Sequence, residues 1–279
     1  VTENEGGTIA LITVTKANTP RSGTRLLTEE RRREIVDLLE GNGRVTVEEL
    51  VKRFGVSAVT VRTDLDELSK LGALKRSHGG AIRVGPIHDY PVRMKETIHH
   101  AEKVRIAQYA AGLIRSGQTV VLDSGSTTWE IAKQIKSGKY SALTVITNAL
   151  DIAVELADLP FVTVIMVGGI LRQISRSFVG PQAEQMMRDL HADHFFLGVD
   201  GMDVEIGPST PDILEAQLNG LMMRSAREVT VTADSSKFGR RSLSVIGPLD
   251  LIQRVVTDKA IDDSVAEALK GRNIEVVAV

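Results

Sequence analysis

From Thr119 to the end of the chain, short apolar runs alternate with amphipathic stretches, and this alternation narrows the possible folds more than any other feature. The runs are Thr119–Leu122, Leu143–Ile146, Phe161–Val167, His194–Val199, Glu228–Thr232, Arg254–Thr257 and Ile274–Val277. Helices fit between them near Trp129–Lys136, Ala149–Leu156, Pro181–Leu190, Ile213–Arg227 and Ser264–Gly271. One more, about Ala101–Ser116, precedes the first run. Short apolar strands followed by helices with one apolar stripe are accommodated by a mostly parallel sheet covered on both faces. Ligands of such sheets bind beyond the carboxyl ends of the strands.

The segment after the first run is the sharpest motif. Val120-Val121-Leu122 leads into Asp123-Ser124-Gly125-Ser126-Thr127-Thr128 and then a helix start at Trp129. A small hydroxyl-rich loop at the positive end of a helix offers free N–H groups and hydroxyls, which is an anion site suited to phosphate. Ser126, Thr127 and Thr128 are expected to hold the oxygens, with Gly125 allowing close approach of the backbone; plain helix capping is the alternative. Neither the Walker lysine loop nor the dinucleotide glycine loop is present, so no nucleotide and no cofactor is expected. Other polar clusters also follow strands: Thr147-Asn148, Gly168-Gly169 with Arg172 close behind, Asp200-Gly201, and Asp234-Ser235-Ser236-Lys237. If the sheet is parallel they meet on one rim and outline a sugar-phosphate pocket.

The N-terminal part follows another pattern. Thr28 can cap a helix to about Glu40, stopped by Gly41-Asn42-Gly43. Thr46-Val47-Glu48-Glu49 is a capping box for a second helix. Gly55 ends that helix, and Ser57 caps a third running to about Leu71. A short helix, a glycine turn and a capped helix form the helix-turn-helix layout. On the third helix Val61, Leu65 and Leu68 share one face, and Val59, Arg62, Thr63 and Asp66 the opposite one, with Thr60 at its edge. The first turns of such a helix enter the major groove. Thr60, Arg62 and Thr63 are therefore the expected DNA contacts, with Ser57 a cap beside phosphate and an Arg62–Asp66 ion pair as the alternative for Arg62. Lys75, Arg76 and Arg83 flank the turn His78-Gly79-Gly80 in two β-capable runs and make a basic wing. His78 has no neighbour at ligand spacing and is read as a turn residue, not a metal ligand.

Charge and composition agree. Residues 21–83 carry 13 Lys and Arg against 10 Asp and Glu, whereas residues 84–279 carry 20 against 24. A basic head on an acidic body suits a nucleic-acid module on a domain with another task. The 279 residues leave room for two domains, and the absence of cysteine excludes disulfides, thiolate metal sites and cysteine nucleophiles. No apolar run approaches membrane length, so the expected location is the cytoplasm. The expected division is a loose leader over residues 1–20, a winged helix-turn-helix over 21–85, a linker over 86–100 and an effector domain over 101–279.

Ser57-Ala58-Val59-Thr60-Val61-Arg62-Thr63-Asp64-Leu65, followed by Gly72-Ala73-Leu74-Lys75-Arg76-Ser77-His78-Gly79-Gly80-Ala81, resembles the N-terminal signature of the DeoR family of bacterial repressors. One position departs from it: the residue between Arg62 and Asp64 is usually basic there and is Thr63 here. The body resembles the DeoR sensor domain through Asp123–Thr128, Thr147-Asn148, Gly168-Gly169, Phe196–Gly201, Glu215-Ala216 and Ala233–Phe238. The resemblance implies a Rossmann-like α/β sensor sharing its fold with ribose-5-phosphate isomerase and glucosamine-6-phosphate deaminase, and a phosphorylated sugar as effector. It places Asp123, Asp200, Glu215 and Lys237 at the pocket, and Ser124, in the same loop as Asp123, is expected to bind the effector with them. Ser175–Gly180 and the segment Ser209–Asn219 resemble the amino-sugar branch of the family. The expected protein is thus a non-enzymatic repressor that binds operator DNA as a homodimer or tetramer. A sugar-phosphate isomerase or deaminase with an accessory head is the alternative: Asp200, Glu215 and Lys237 have the chemistry for proton transfer, but it leaves the head unexplained.

Overall fold

The structure is a computed structural model and describes residues 27–70, 72–83 and 89–279. The leader read over residues 1–20 lies outside these, as do Leu71, Val84 and Pro86.

The head opens with α1 (Thr28–Asn42), β1 (Arg44–Thr46), α2 (Val47–Phe54) and α3 (Ala58–Lys70). Leu27, and not Thr28, stands at the start of α1, because Glu30 reaches back to accept the Leu27 N–H at 2.8 Å. Gly43 closes that helix at φ 73°. The capping box of α2 is as expected: Glu49 N–H donates to Thr46 Oγ1 at 3.2 Å, and Thr46 N–H to Glu49 Oε2 at 2.8 Å. The wing is β2 (Lys75–Ser77) and β3 (Gly80–Ile82), and β1 pairs antiparallel with β3 as a third strand. Gly80 is obligatory there, since a Cβ would lie 2.1 Å from the Val45 carbonyl oxygen. Ile35, Leu39, Leu50, Val61, Leu65 and Ala81 fill the core of the head.

The stretch read as a linker contains a helix. This is α4 (Val92–Thr97), which turns at His99 into α5 (His100–Gly112). Met94 and Ile98 are buried in the head's core, while Val92 N–H donates to the Ile174 carbonyl of the body at 2.9 Å.

The body continues with β4 (Thr119–Leu122), α6 (Ser126–Ser137), β5 (Leu143–Thr147), α7 (Leu150–Leu156) and β6 (Val162–Met166). A hairpin of β7 (Ile170–Arg172) and β8 (Ser177–Val179) follows, then α8 (Pro181–Arg188) and β9 (Ala192–Leu197). After β10 (Gly201–Asp203) and β11 (Gly207–Thr210) come α9 (Ile213–Ser225), β12 (Ala226–Thr232) and β13 (Ser244–Val245). The chain ends with β14 (Arg254–Thr257), α10 (Asp263–Lys270) and β15 (Glu275–Ala278).

Seven strands form one sheet in the order β15-β14-β12-β9-β4-β5-β6, with every pair parallel. Alternation along β4 shows how both faces are covered. Val120 and Leu122 join Ala107, Ile131, Ile135 and Ile152 on one side, and Val121 joins Met187, Leu218 and Met222 on the other. From β4 the chain moves outward to β5 and β6, then returns to β9 and proceeds the other way. The carboxyl ends of β4 and β9 therefore form the switch point at which such sheets hold ligands. Sheet β10-β11-β13 and hairpin β7-β8 stand over that rim as small antiparallel additions.

Candidate functional site

At the switch point Asp123 staples two loops together. Its Oδ1 accepts from Gly125 N–H at 3.0 Å and from Thr128 Oγ1 at 2.7 Å, and its Oδ2 accepts from Gly198 N–H at 2.9 Å. Gly125 and Gly198 pack face to face, with a Cβ on either lying 3.3 Å from the other's Cα. Thus Gly125 makes room for the neighbouring loop as well as lining the crevice. Burial pushes the Asp123 carboxyl up to about 7, against the lowering effect of the bonds from Thr128, Gly125 and Gly198.

The loop opens on a crevice lined by Ser124, Gly125, Ser126 and Thr127, together with Asp200, Glu215 and Lys237. Ser126 and Thr127 begin α6, so their N–H groups lack intrahelical acceptors. Among the described residues the hydroxyls of Ser124, Ser126 and Thr127 have no hydrogen-bond partner either. Thr128 differs from the expectation. It is fully buried, and its hydroxyl is committed to Asp123 Oδ1 and to the carbonyls of Asp123 and Gly125.

Four other residues expected at the pocket stand away from it. Thr147 Oγ1 accepts from Ala149 N–H at 3.1 Å, and Asn148 Nδ2 donates to the Phe178 carbonyl at 3.0 Å. Gly169 packs against β8, where a Cβ would meet the Val179 carbonyl oxygen at 2.6 Å, and Gly168 precedes it in the same turn. These residues anchor the β7–β8 hairpin, which folds over the ends of β5 and β6 and removes them from the rim. Arg172, on that hairpin, does not line the crevice. It supports it from behind through ion pairs with Asp89, Asp212 at 2.9 Å and Glu215 at 3.5 Å.

The crevice also has a wall that the sequence reading missed. Tyr90, Val92, Lys95 and Lys103 come from the α4–α5 region, and Ser175, Thr210, Asn219 and Asp234 line it as well. Lys95 pairs with Asp200 at 2.7 Å and Asp89 at 3.2 Å. Burial works to lower the Lys95 ammonium, but these carboxylates outweigh it and hold it above its ordinary value. Lys103 is only 3% exposed, and it donates to the carbonyls of Lys95 and Ile98. Among the described residues, neither Lys103 nor Lys237 has a carboxylate within ion-pair distance. Burial lowers Lys103 to about 8. Opposite the lysines, Glu215 is held above the ordinary carboxylate range by burial, against Ser175 and Arg172. Asn219 is buried with its Oδ1 unpartnered. One signal for Lys103 was legible: it falls three and four residues before Ile106 and Ala107, on the buried stripe of α5.

On the head, Ser57 Oγ accepts from Thr60 N–H at 3.1 Å and lies 2.9 Å from Thr60 Oγ1, so it caps α3. Thr63 Oγ1 donates back to the Val59 carbonyl at 3.0 Å. Arg62 is exposed and makes no ion pair among the described residues. The expected alternative of an Arg62–Asp66 pair is not formed, because Asp66 is taken by Arg76 of the wing at 3.0 Å. Arg76 also donates to the Gly80 carbonyl at 2.9 Å and so braces the wing against α3. Lys75 and His78 are exposed, with His78 in the turn, and Arg83 is half-buried at the end of β3. Val59 stands 70% exposed beside Arg62, an apolar group on the outward face. Asp64 is buried against Arg31 at 2.5 Å and Arg32 at 3.0 Å, so this residue of the signature docks α3 on α1. No helix among the described residues is long and apolar enough to cross a membrane, and no group of residues there could hold a metal ion.

A winged helix-turn-helix with an open cationic face, joined to a doubly covered parallel sheet with a polar crevice at its switch point, defines a DNA-binding transcription regulator with a sensor body. The chain belongs to the DeoR family: residues 31–86 match the DeoR-like helix-turn-helix domain, and residues 98–259 match the DeoR C terminal sensor domain. It is 39% identical to the aga operon transcriptional repressor of Escherichia coli O157:H7, over 94% of this chain and 99% of that one. It is 30% identical to the glycerol-3-phosphate regulon repressor of Escherichia coli K12, over 88% of this chain and 97% of the relative. Among solved structures it is similar to ribose 5-phosphate isomerase from Plasmodium falciparum at 19% identity and a TM-score of 0.36, covering 50% of this chain and 54% of that one. The family and these two repressors are regulators of transcription, not enzymes.

Proposed function

We propose that the protein represses a sugar or amino-sugar catabolic operon in the cytoplasm, and that a phosphorylated sugar bound in the crevice sets its affinity for the operator. The observation that carries this reading is Lys103, a buried cation with no carboxylate at ion-pair distance among the described residues, facing the hydroxyls of Ser124, Ser126 and Thr127 and helix-start N–H groups that are also unpartnered there. A buried charge is costly unless it is paired, and a phosphate supplies the missing charge. In this arrangement the phosphate lies on Ser124–Thr127 between Lys103 and Lys237. The sugar hydroxyls, or an amine, meet Asp200, Glu215 and Asn219. The name of the relative in Escherichia coli K12 points to the same ligand chemistry, since it refers to glycerol 3-phosphate.

On the head, Arg62, Thr60, Thr63 and Val59 face the major groove, and Lys75, His78 and Arg83 lie toward phosphate or the minor groove. Two heads in a symmetric dimer would read paired half-sites.

The test is a thermal-shift and calorimetric screen of hexose and hexosamine 6-phosphates, with the parent sugars as controls. A ligand of the native state raises the melting temperature by mass action. At least one phosphorylated sugar should bind while its parent sugar does not, and Lys103→Met should weaken binding at least tenfold. Equal binding of a sugar with and without its phosphate would contradict the reading.

A further inference from the structure

The α4–α5 corner belongs to two structures at once. Its lower side faces the crevice through Lys95 and Lys103. Its upper side is sealed into the head, with Met94 and Ile98 buried in the core cluster that also holds Ile35, Leu39 and Leu68. The two sides are joined by Lys103 itself, whose ammonium donates to the carbonyls of Lys95 and of Ile98. His99, at the bend, is held at φ 51°, a conformation that non-glycine residues rarely adopt. The head approaches closely here: burial raises the Asp37 carboxyl of α1, against the lowering effect of the Lys103 charge, and its buried Oδ1 has no hydrogen-bond partner among the described residues.

On the reading of the crevice given above, we infer that this corner is the coupling element, and that Lys103 and Lys95 transmit occupancy of the crevice to the seat of Ile98 and Met94 in the head. An anion bonded to Lys103 enters the shell of a cation that now holds the bend together. An anion near Lys95 also competes with Asp200 for it. Either event repositions a helix of only six residues, Val92–Thr97, whose other face is part of a close-packed core. Such cores move between discrete arrangements and do not deform smoothly. The ligand shifts the head by its difference in affinity for the two arrangements.

The experiment uses the full chain and measures operator affinity with and without saturating sugar phosphate. The probes are glucosamine 6-phosphate, galactosamine 6-phosphate and their N-acetyl forms, with ligand occupancy measured separately by calorimetry. Ile98→Ala empties the upper seat but leaves the Ile98 carbonyl to Lys103. It should keep ligand affinity within about twofold and lose most of the ligand-induced change in operator affinity. Ile98→Leu, which conserves volume, should retain that change. Hydrogen exchange on the wild type should show altered protection at residues 92–100 when ligand binds. An Ile98→Ala chain that responds like the wild type at equal occupancy, or unaltered exchange in that segment, overturns the coupling alone. A wild-type chain that binds none of the probes overturns the reading of the crevice for these sugars, and this inference with it.

Discussion

The head and the body both bury a charged side chain at a functional seam, but they satisfy it differently. In the head, Asp64 is closed off by Arg31 and Arg32. In the body, the partners of Lys103 among the described residues are carbonyl oxygens, and the nearby hydroxyls of Ser124, Ser126 and Thr127 are unengaged there. A charge neutralised within the chain fixes one arrangement of helices. A charge left for an outside partner makes the arrangement depend on that partner. The contact of α3 with α1 is therefore built to stay the same whether or not DNA is present, whereas the crevice is built to differ between its empty and filled states.

The sharpest way to break this comparison is Asp64→Ala. Removing one member of a buried ion pair costs about 3–5 kcal/mol, and Asp64 is the carboxylate on which Arg31 and Arg32 converge. The head should unfold at lower urea concentration and operator binding should be lost, while the body stays folded. Denaturation followed by far-UV circular dichroism, with calorimetry on the same sample, checks this. A head as stable as the wild type would show that Asp64 is not its anchor. A smaller effect is expected for Arg62→Ala on the outer face of α3. Loss of a base contact costs about 1–3 kcal/mol of specific binding, whereas stability should change by no more than about 0.5 kcal/mol because Arg62 is exposed and makes no ion pair among the described residues. An unchanged operator affinity in a gel-shift titration removes Arg62 from the interface.

How far the sequence disclosed the site follows from the range of each signal. Strand-helix alternation and the capping box at Thr46 are local patterns, and the body's main strands and helices lie where they were read. Outside the wing the antiparallel strands were not legible: Arg44–Thr46 forms only against β3, far along the chain, and Ile170–Arg172 is a run of three residues that takes its strand form from pairing with Ser177–Val179. The same limit explains the misplaced residues. That Thr147-Asn148 follows a strand is visible in sequence, but not that β8 covers it. Thr128 was read with its neighbours as an anion ligand, yet one helical turn directs its hydroxyl back to Asp123. Lys95 and Lys103 were hidden within a stretch judged only as a connection and a helix start. A lysine on the buried stripe of α5 was the clue.

The most direct test of the account is operator affinity measured with and without the sugar phosphate found by screening, at pH 7 and at about pH 9. Burial holds folded Lys103 down to about 8, so its protonated fraction falls roughly tenfold over this interval. Asp123, which burial raises to about 7, becomes more fully ionised over the same rise and opposes an anion further. The account predicts that ligand changes operator affinity at pH 7, and that roughly tenfold or more additional ligand is needed for the same change at pH 9. An operator affinity indifferent to a saturated crevice at pH 7 would contradict it.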